Sequence, residues 1–560
     1  MAKRFSESMA LALILSAPFT CVHAKAPAAA HQTATPESAK LLSGSTLGEK
    51  TGLSGNVTVR DIHLPATIII RDQQGQKRQT QTDEQGKYHL DVSGLTPPLR
   101  VLAIESGGNN CLLNNISRAI CLSAVAPSLH DGKENIANIN PLTDRITSDI
   151  AVAAGYIGPQ QLTDDTASPK LDAAAWKTAY ADFHAGFNGA LKQAGISVPA
   201  RFDPLTYPAS QQEAVTKIVN VINHNRNYHN NTGYSGHTVL TDSAFHPIVG
   251  LNDKGDYEPL DYRSARQSLD AIQKAQTRIF LVGDSTAATY EKMRFPRMGW
   301  GQVFEQQFSK NSSVKVVNGT RAGRSSRDYF YEGWFRQMQP LMKEGDFLFI
   351  QMGHNDQNCN GAKEIRGPAD VANLCTYPND AAGKKQAPQG KADMSFQTSL
   401  ERYITFARQH KLTPVLLTPT TRVKTAEGKN GTPAVHSHFT KQNADNGYAF
   451  VGDYSQTIKD TAANNKVVLL DIEPVTIALA NQGNSEHWKQ YWLVIDPKKY
   501  PYYRDQAGSL SKPDTTHFQK KGAIAVAEIV ANAIRQEPAL ASLAEKNSQQ
   551  TQVVISQAKR

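Results

Sequence analysis

Three residues carry types and spacings that can do chemistry together. Asp514 and His517 stand three apart in "PDTTHF", and Ser285 closes the apolar run "IFLVGDS". A carboxylate three residues before a histidine can turn back to accept the imidazole Nδ1 proton, leaving Nε2 to take the proton of a serine hydroxyl. The product is a serine, histidine, aspartate relay, the apparatus of nucleophilic acyl transfer. Taken singly, D-x-x-H is common in surface turns, and a serine after a strand commonly caps the next helix. The weight of the three comes from the elements around them.

From about Thr277 onward, short continuous apolar runs alternate with helical patterns. "RIFLVG", "VKVVN", "DFLFIQMG", "PVLLTP" and "KVVLLDI" have the look of strands buried on both faces of a parallel sheet. "DMSFQTSLERYITFARQHK" and "HFQKKGAIAVAEIVANAI" supply covering helices. The expected fold class is α/β, a doubly wound parallel sheet over residues 277–536. Ligands of such sheets gather outside the carboxyl ends of the strands. The residues expected there are Gly283-Asp284-Ser285, Asn318 to Gly323, Gly353-His354-Asn355-Asp356 and Thr418 to Arg422. A hydroxyl, a glycine amide and a side-chain amide can converge on that edge.

"GDSTA", "AGRSSR", "GHND" and "DTTH" occur in the order found in the SGNH, or GDSL-like, hydrolase superfamily, which this region resembles. "GDST" with the flanking "GWGQ" is similar to its rhamnogalacturonan and pectin acetylesterase branch. The resemblance spans about Thr277 to Arg535 and implies Ser285 as nucleophile, His517 as general base and Asp514 as its orienting carboxylate. It also implies an oxyanion hole of the Ser285 and Gly323 backbone N–H groups and the Asn355 side-chain amide. On residue type alone, Gly323 serves turn geometry and Asn355 a loop hydrogen bond. Asp284 is expected to brace the turn after the strand, and His354 to form a wall of the pocket. Trp300 either stacks on a sugar ring or packs against the sheet. Arg321, Arg324, Arg327 and Arg422 either meet substrate carboxylates or are solvated. No metal and no organic cofactor are expected.

Ahead of the hydrolase-like region, Lys3 and Arg4 precede the apolar run Met9 to Phe19, which ends in Val22-His23-Ala24, the pattern of a cleaved secretory signal over residues 1–24. An Ala, Thr and Ser rich leader follows over 25–50. Residues 51–130 alternate around the turn signals Asp72-Gln-Gln-Gly75 and Asp83-Glu-Gln-Gly86, as a small antiparallel sandwich would. Residues 131–225 carry helical spacing. Residues 226–276 read as a linker, with His224, His229 and His237 in or beside a solvated loop rather than at a metal. Residues 537–560 read as a polar tail. Cys111 with Cys121 and Cys359 with Cys375 form two close pairs, expected as local disulfides in an oxidising compartment, secreted or periplasmic.

The formal net charge is +9, falling to +8 without residues 1–24. Such a chain is drawn to polyanions. Basic and aromatic residues do not interleave as in a nucleic-acid module, so the expected partner is an acidic polysaccharide, with no nucleic acid and no membrane span. There is no G-x-S-x-G elbow, and Ser509-Leu-Ser-Lys512 lacks the motifs that accompany S-x-x-K in penicilloyl-type enzymes. Asp471 and Glu473 follow a strand but have no evident partner acid for glycoside hydrolysis. The expected activity is a pectin acetylesterase. A rhamnogalacturonan or xylan acetylesterase, a lipid or thioester hydrolase and a noncatalytic polysaccharide-binding protein are its rivals.

Overall fold

The computed structural model describes residues 50–547, except 61, 107–119, 157, 167–170, 198–201, 228–236, 249, 252–253, 255–256, 332–333, 358–375, 377–381, 386–394 and 442–450. The expected signal and leader, Cys111, Cys359, Cys375 and His229 lie outside the described residues. Cys121 is disulfide-bonded.

Five strands form the sheet that organises the molecule: β1 (Thr277–Gly283), β2 (Val314–Asn318), β3 (Phe347–Gln351), β4 (Thr413–Leu417) and β5 (Val468–Leu470). Their spatial order is β2-β1-β3-β4-β5, and every neighbouring pair is parallel. Successive side chains on a strand point to opposite faces, so each apolar run feeds two cores. Phe280, Val282, Leu348, Ile350 and Leu416 belong to one hydrophobic cluster; Ile279, Leu281, Phe347, Phe349, Val415 and Leu417 belong to the other. The first cluster takes Leu400, Tyr403 and Ile404 from helix α1 (Phe396–Gln409), and the second takes Ala523, Val526 and Val530 from helix α2 (Lys520–Gln536). Helices on both faces make this the doubly wound α/β architecture the strand pattern called for. At the amino end of these strands, Arg278 and Asp346 form a buried ion pair at 2.7 Å, and the guanidinium also donates to the carbonyls of Ile272 and Ala275.

The N-terminal part is a β-sandwich. One sheet is antiparallel, in the order Lys77–Gln81, Ala66–Arg71, Leu99–Glu105, Cys121–Ala126. The other places Gly52–Asn56 between an antiparallel Lys87–Asp91 and a parallel Glu134–Ile136, so the sandwich runs a few residues past 130. Ile68, Ile70, Val101, Leu122 and Leu53 fill the space between the two sheets. Both expected turns form, with Gly75 and Gly86 at φ +84° and +73°.

Helices Pro141–Ala153, Ala173–Gln193 and Gln212–Asn220 follow the expected spacing, the first opened by a capping box of Asn140 and Thr143. Their buried Leu142, Phe183, Phe187, Val215 and Ile218 join the same cluster as Phe280 and Val282 of β1. The stretch read as a linker is folded too. Ile222–Asn227 and His237–Asp242 pair as antiparallel strands, and Tyr262–Lys274 is a helix with Leu269 and Ile272 buried. His224 is accordingly not in a solvated loop: it is buried, its Nε2 2.7 Å from Asp144 Oδ2. Beyond Pro538 the chain continues as helical turns, and Leu540 and Leu543 are buried in the second cluster, so this stretch is not simply a polar tail. Among the described residues no helix is long and apolar enough to cross a membrane.

Candidate active site

β1 ends at Gly283, where a Cβ would sit 2.7 Å from the Gln351 carbonyl oxygen of β3. Only glycine lets the two strand ends approach this closely. The chain then turns rather than entering a helix, so Ser285 is not a helix N-cap. Asp284 Oδ1 accepts from the Thr286 backbone N–H and hydroxyl, both at 2.9 Å, and braces that turn. The Tyr290 hydroxyl donates to the Ser285 carbonyl at 2.6 Å, and Arg297 Nη2 donates to the Tyr290 hydroxyl at 3.1 Å while its guanidinium lies over the Tyr290 ring.

The histidine arrives from the far end of the chain. Strand β6 (Asp514–Phe518) pairs with Trp492–Leu493 and leads into α2. His517 Nε2 lies 2.8 Å from Ser285 Oγ, and His517 Nδ1 lies 2.7 Å from Asp514 Oδ2. The second oxygen, Asp514 Oδ1, accepts the backbone N–H groups of Thr516 and His517 at 2.9 and 3.1 Å. Burial opposes the charged form of Asp514, but the His517 ring and these two N–H donors outweigh it and hold the carboxyl well below the usual range. For His517, burial and the nearby Arg297 charge prevail over the pull of Asp514, so its pKa moves down. A carboxylate accepting at Nδ1 leaves the Nε2 lone pair facing the serine hydroxyl. That is the tautomer a general base needs.

Loops from two further strands close around this point. Asn318 Nδ2 at the end of β2 donates to the Ala287 carbonyl and the Thr289 hydroxyl, and the Arg321 N–H donates to the Gly283 carbonyl at 3.0 Å. Gly323 has φ +77°, in the region glycine favours, which turns the loop before Arg324. Asn355 Nδ2 donates to the Arg324 carbonyl at 3.1 Å, tying the loop after β3 to the loop after β2. Asp356 is buried and accepts from the Ser326 N–H and hydroxyl and the Gly353 N–H. Burial pushes its carboxyl up to about 7 despite the Ser326 donors, with the Asp284 charge adding to the rise.

His354 is buried behind the nucleophile turn, Nδ1 3.2 Å from Asp284 Oδ2. Burial disfavours the Asp284 charge, yet His354 and Thr286 bring its pKa down to about 2. His354 is thus buried against the turn that carries the nucleophile. Arg422 donates to the His354 carbonyl at 2.9 Å and to Gln357, and burial pushes its pKa down. Arg324 is almost wholly buried and donates to the Ala322 carbonyl, and Arg321 lies over the Trp334 ring. Trp300 is a correction to the sugar-stacking alternative. It is 1% exposed, packs edge-on to Phe304 and donates Nε1–H to Gln351 Oε1 at 2.9 Å, so neither ring face meets solvent.

Residues 279–530 match the family model described as GDSL-like lipase/acylhydrolase. This region is a GDSL-like hydrolase domain. The chain is similar to the rhamnogalacturonan acetylesterase RhgT of Bacillus subtilis, 28% identical over 265 residues, which is 47% of this chain and 92% of that one. It is 36% identical over 100 residues to the rhamnogalacturonan acetylesterase of Emericella nidulans, covering 17% of this chain and 36% of that protein. Among solved structures, Axe2, an acetylxylan esterase from Geobacillus stearothermophilus, aligns with TM-score 0.27 and 11% identity over 46% of this chain and 94% of that one.

Sequence reasoning passed over Tyr290, Arg297, Gln351, His436 and His438. Tyr290 and Arg297 stand in no motif, and only the folded loop shows the hydroxyl reaching back to Ser285. The H-x-H spacing of His436 and His438 was visible, but its acidic partner, Glu473, is 35 residues away from His438.

Proposed function

We propose that the protein is a serine esterase that removes acetyl groups from an acidic, pectic polysaccharide. The observation that carries this reading is the unbroken row Ser285 Oγ, His517, Asp514, with links of 2.8 and 2.7 Å. Ser285 Oγ attacks the acetyl carbonyl as His517 Nε2 takes its proton. The tetrahedral oxyanion is met by the Ser285 and Gly323 N–H groups and Asn355 Nδ2. Each such donor contributes about 2.7–4 kcal/mol where its loss has been measured in comparable sites. His517 then protonates the sugar hydroxyl as it leaves, and water, activated by the same imidazole, releases acetate from the serine. The acetyl-carbohydrate substrate is supported by relatives named as rhamnogalacturonan acetylesterases. A net charge of +9 suits a galacturonate-containing backbone. The N-terminal pattern of residues 1–24 supports export to where such polymers are met.

Replacing Ser285 with Ala tests the reading. Acetate release from acetylated pectin should fall by roughly a millionfold in kcat, with an unchanged melting temperature. Retained turnover would place the nucleophile elsewhere. A panel of acetylated homogalacturonan, rhamnogalacturonan and xylan then ranks the backbones, and long-chain nitrophenyl esters separate this reading from a lipid hydrolase.

A further inference from the structure

Behind the catalytic residues lies a second cluster of titratable groups that the proposed reaction does not use. His436 and His438 sit in the segment after β4. That segment is pinned by two hydrogen bonds between the Ala434 backbone and the Asn481 side chain, and by the Tyr454 N–H donating to the His438 carbonyl. Glu473 opens the helix Glu473–Ala480, its backbone N–H donating to the Thr418 hydroxyl at the end of β4. Glu473 Oε1 faces both imidazoles, 2.9 Å from His436 Nδ1 and 2.5 Å from His438 Nδ1. The donor atoms of His436, His438 and Glu473 all lie within 4.8 Å of one another.

We propose that His436, His438 and Glu473 form a divalent transition-metal site of the zinc class. Two imidazole nitrogens and one carboxylate oxygen are a donor set that zinc accepts, at about 2.0–2.2 Å per bond with a fourth position left open. Ligands on such an ion stand roughly 3.4 Å apart. The two Glu473 contacts, at 2.9 and 2.5 Å, are hydrogen-bond short, and the carboxylate must draw back by about 0.5–0.9 Å to take an ion in place of the protons. His438 is fully buried, but His436 is 36% exposed, which gives an ion a way in.

The outer ring nitrogens supply a second, independent observation. Metal-bound histidines are held by a partner at the other nitrogen. His436 Nε2 lies 3.1 Å from Asp453 Oδ2, and His438 Nε2 lies 3.4 Å from His354 Nε2. Without an ion, both Nδ1 atoms must carry protons to donate to Glu473. His438 Nε2 is then an acceptor, His354 spends its proton on it, and the bare His354 Nδ1 faces the buried Asp284 carboxylate. Both His354 Nδ1 and Asp284 Oδ2 do lack a hydrogen bond of proper geometry despite being 3.2 Å apart. An ion on His438 Nδ1 moves that ring's proton to Nε2. His354 then accepts at Nε2 and carries its own proton on Nδ1, toward Asp284. The metal thereby aligns every proton in the row that ends at the nucleophile turn. The other way to satisfy the row is a second proton on His354 with the three-ligand cluster empty.

Zinc titration of the full chain, stripped with chelator, separates the two. Calorimetry and metal content after dialysis should give one Zn²⁺ per chain, tightening as pH rises because the His436 Nδ1 proton is displaced while its Nε2 proton stays directed at Asp453. His436→Ala, at the half-exposed ligand, and Glu473→Gln should each weaken binding at least tenfold. Zinc should raise the melting temperature of the wild type and not of these variants. Absence of saturable binding, or unchanged stoichiometry and affinity in a correctly folded His436→Ala protein, overturns the site. This test is independent of the esterase reading: a chain that binds zinc but releases no acetate keeps one and loses the other.

Discussion

Asp514→Asn isolates the part of the relay that sets the histidine tautomer. The asparagine carbonyl can keep the two short backbone bonds that Oδ1 now accepts, at 2.9 and 3.1 Å, so the turn before α2 is retained. What changes is the atom 2.7 Å from His517 Nδ1, which becomes an amide nitrogen that donates. The imidazole then presents a lone pair at Nδ1 and its proton at Nε2, toward a serine oxygen 2.8 Å away that has lost its acceptor. In a relay of this kind the wrong tautomer costs about 10⁴-fold in kcat, or ~5.4 kcal/mol at 1.36 kcal/mol per decade. Steady-state hydrolysis of nitrophenyl acetate and of acetylated pectin, across pH 5–9, reads it directly. Stability should follow pH as well. Asp514 is held below its unfolded value near 3.9, so its stabilisation is present above that value and is lost as pH falls through the folded value. The melting-temperature gap between wild type and variant should therefore close on acidification. A kcat drop under about tenfold would refute the assignment of Asp514 as the orienting carboxylate.

Three further outcomes follow from the same geometry. Arg297→Gln removes a positive charge that, after burial, holds the His517 pKa down, so the acid limb of kcat/KM should move to higher pH; a shift the other way would remove Arg297 from the site's electrostatics. Trp300→Phe leaves Gln351 Oε1 without its indole donor and should cost about 1–3 kcal/mol of stability, read by denaturant unfolding, while KM for polysaccharide stays put; a KM rise alone would mean the ring touches sugar after all. A chain beginning at Thr277 strips Phe183, Phe187, Val215 and Ile218 from the cluster that includes Phe280 and Val282, and should be insoluble or melt far below the full chain; equal thermal stability would show that the helical segment is dispensable.

The sheet was legible because strands buried on both faces write themselves as continuous apolar runs, and five such runs became β1 to β5. Ser285, His517 and Asp514 were legible because each sits at a motif whose chemistry needs that residue type. Contacts between distant segments were not. His224 looked solvated amid asparagines because its partner, Asp144, is 80 residues earlier. The helix Tyr262–Lys274 was masked by its charged outer face, since only Ala265, Leu269 and Ile272 are buried. Trp300 could not be assigned to core or pocket from sequence, because the choice depends on Gln351 arriving from another strand.

The alternation along β1 makes that strand a party wall between two rooms. Val282 leans into the room furnished by the helical segment, while Leu281, next to it, leans into the room closed by the helix that follows His517. Ser285 hangs from the end of this wall. A crack opened on either side, by a shortened side chain in the N-terminal helices or in the last one, reaches the same hydroxyl, so the segment ahead of the hydrolase region is part of the nucleophile's footing.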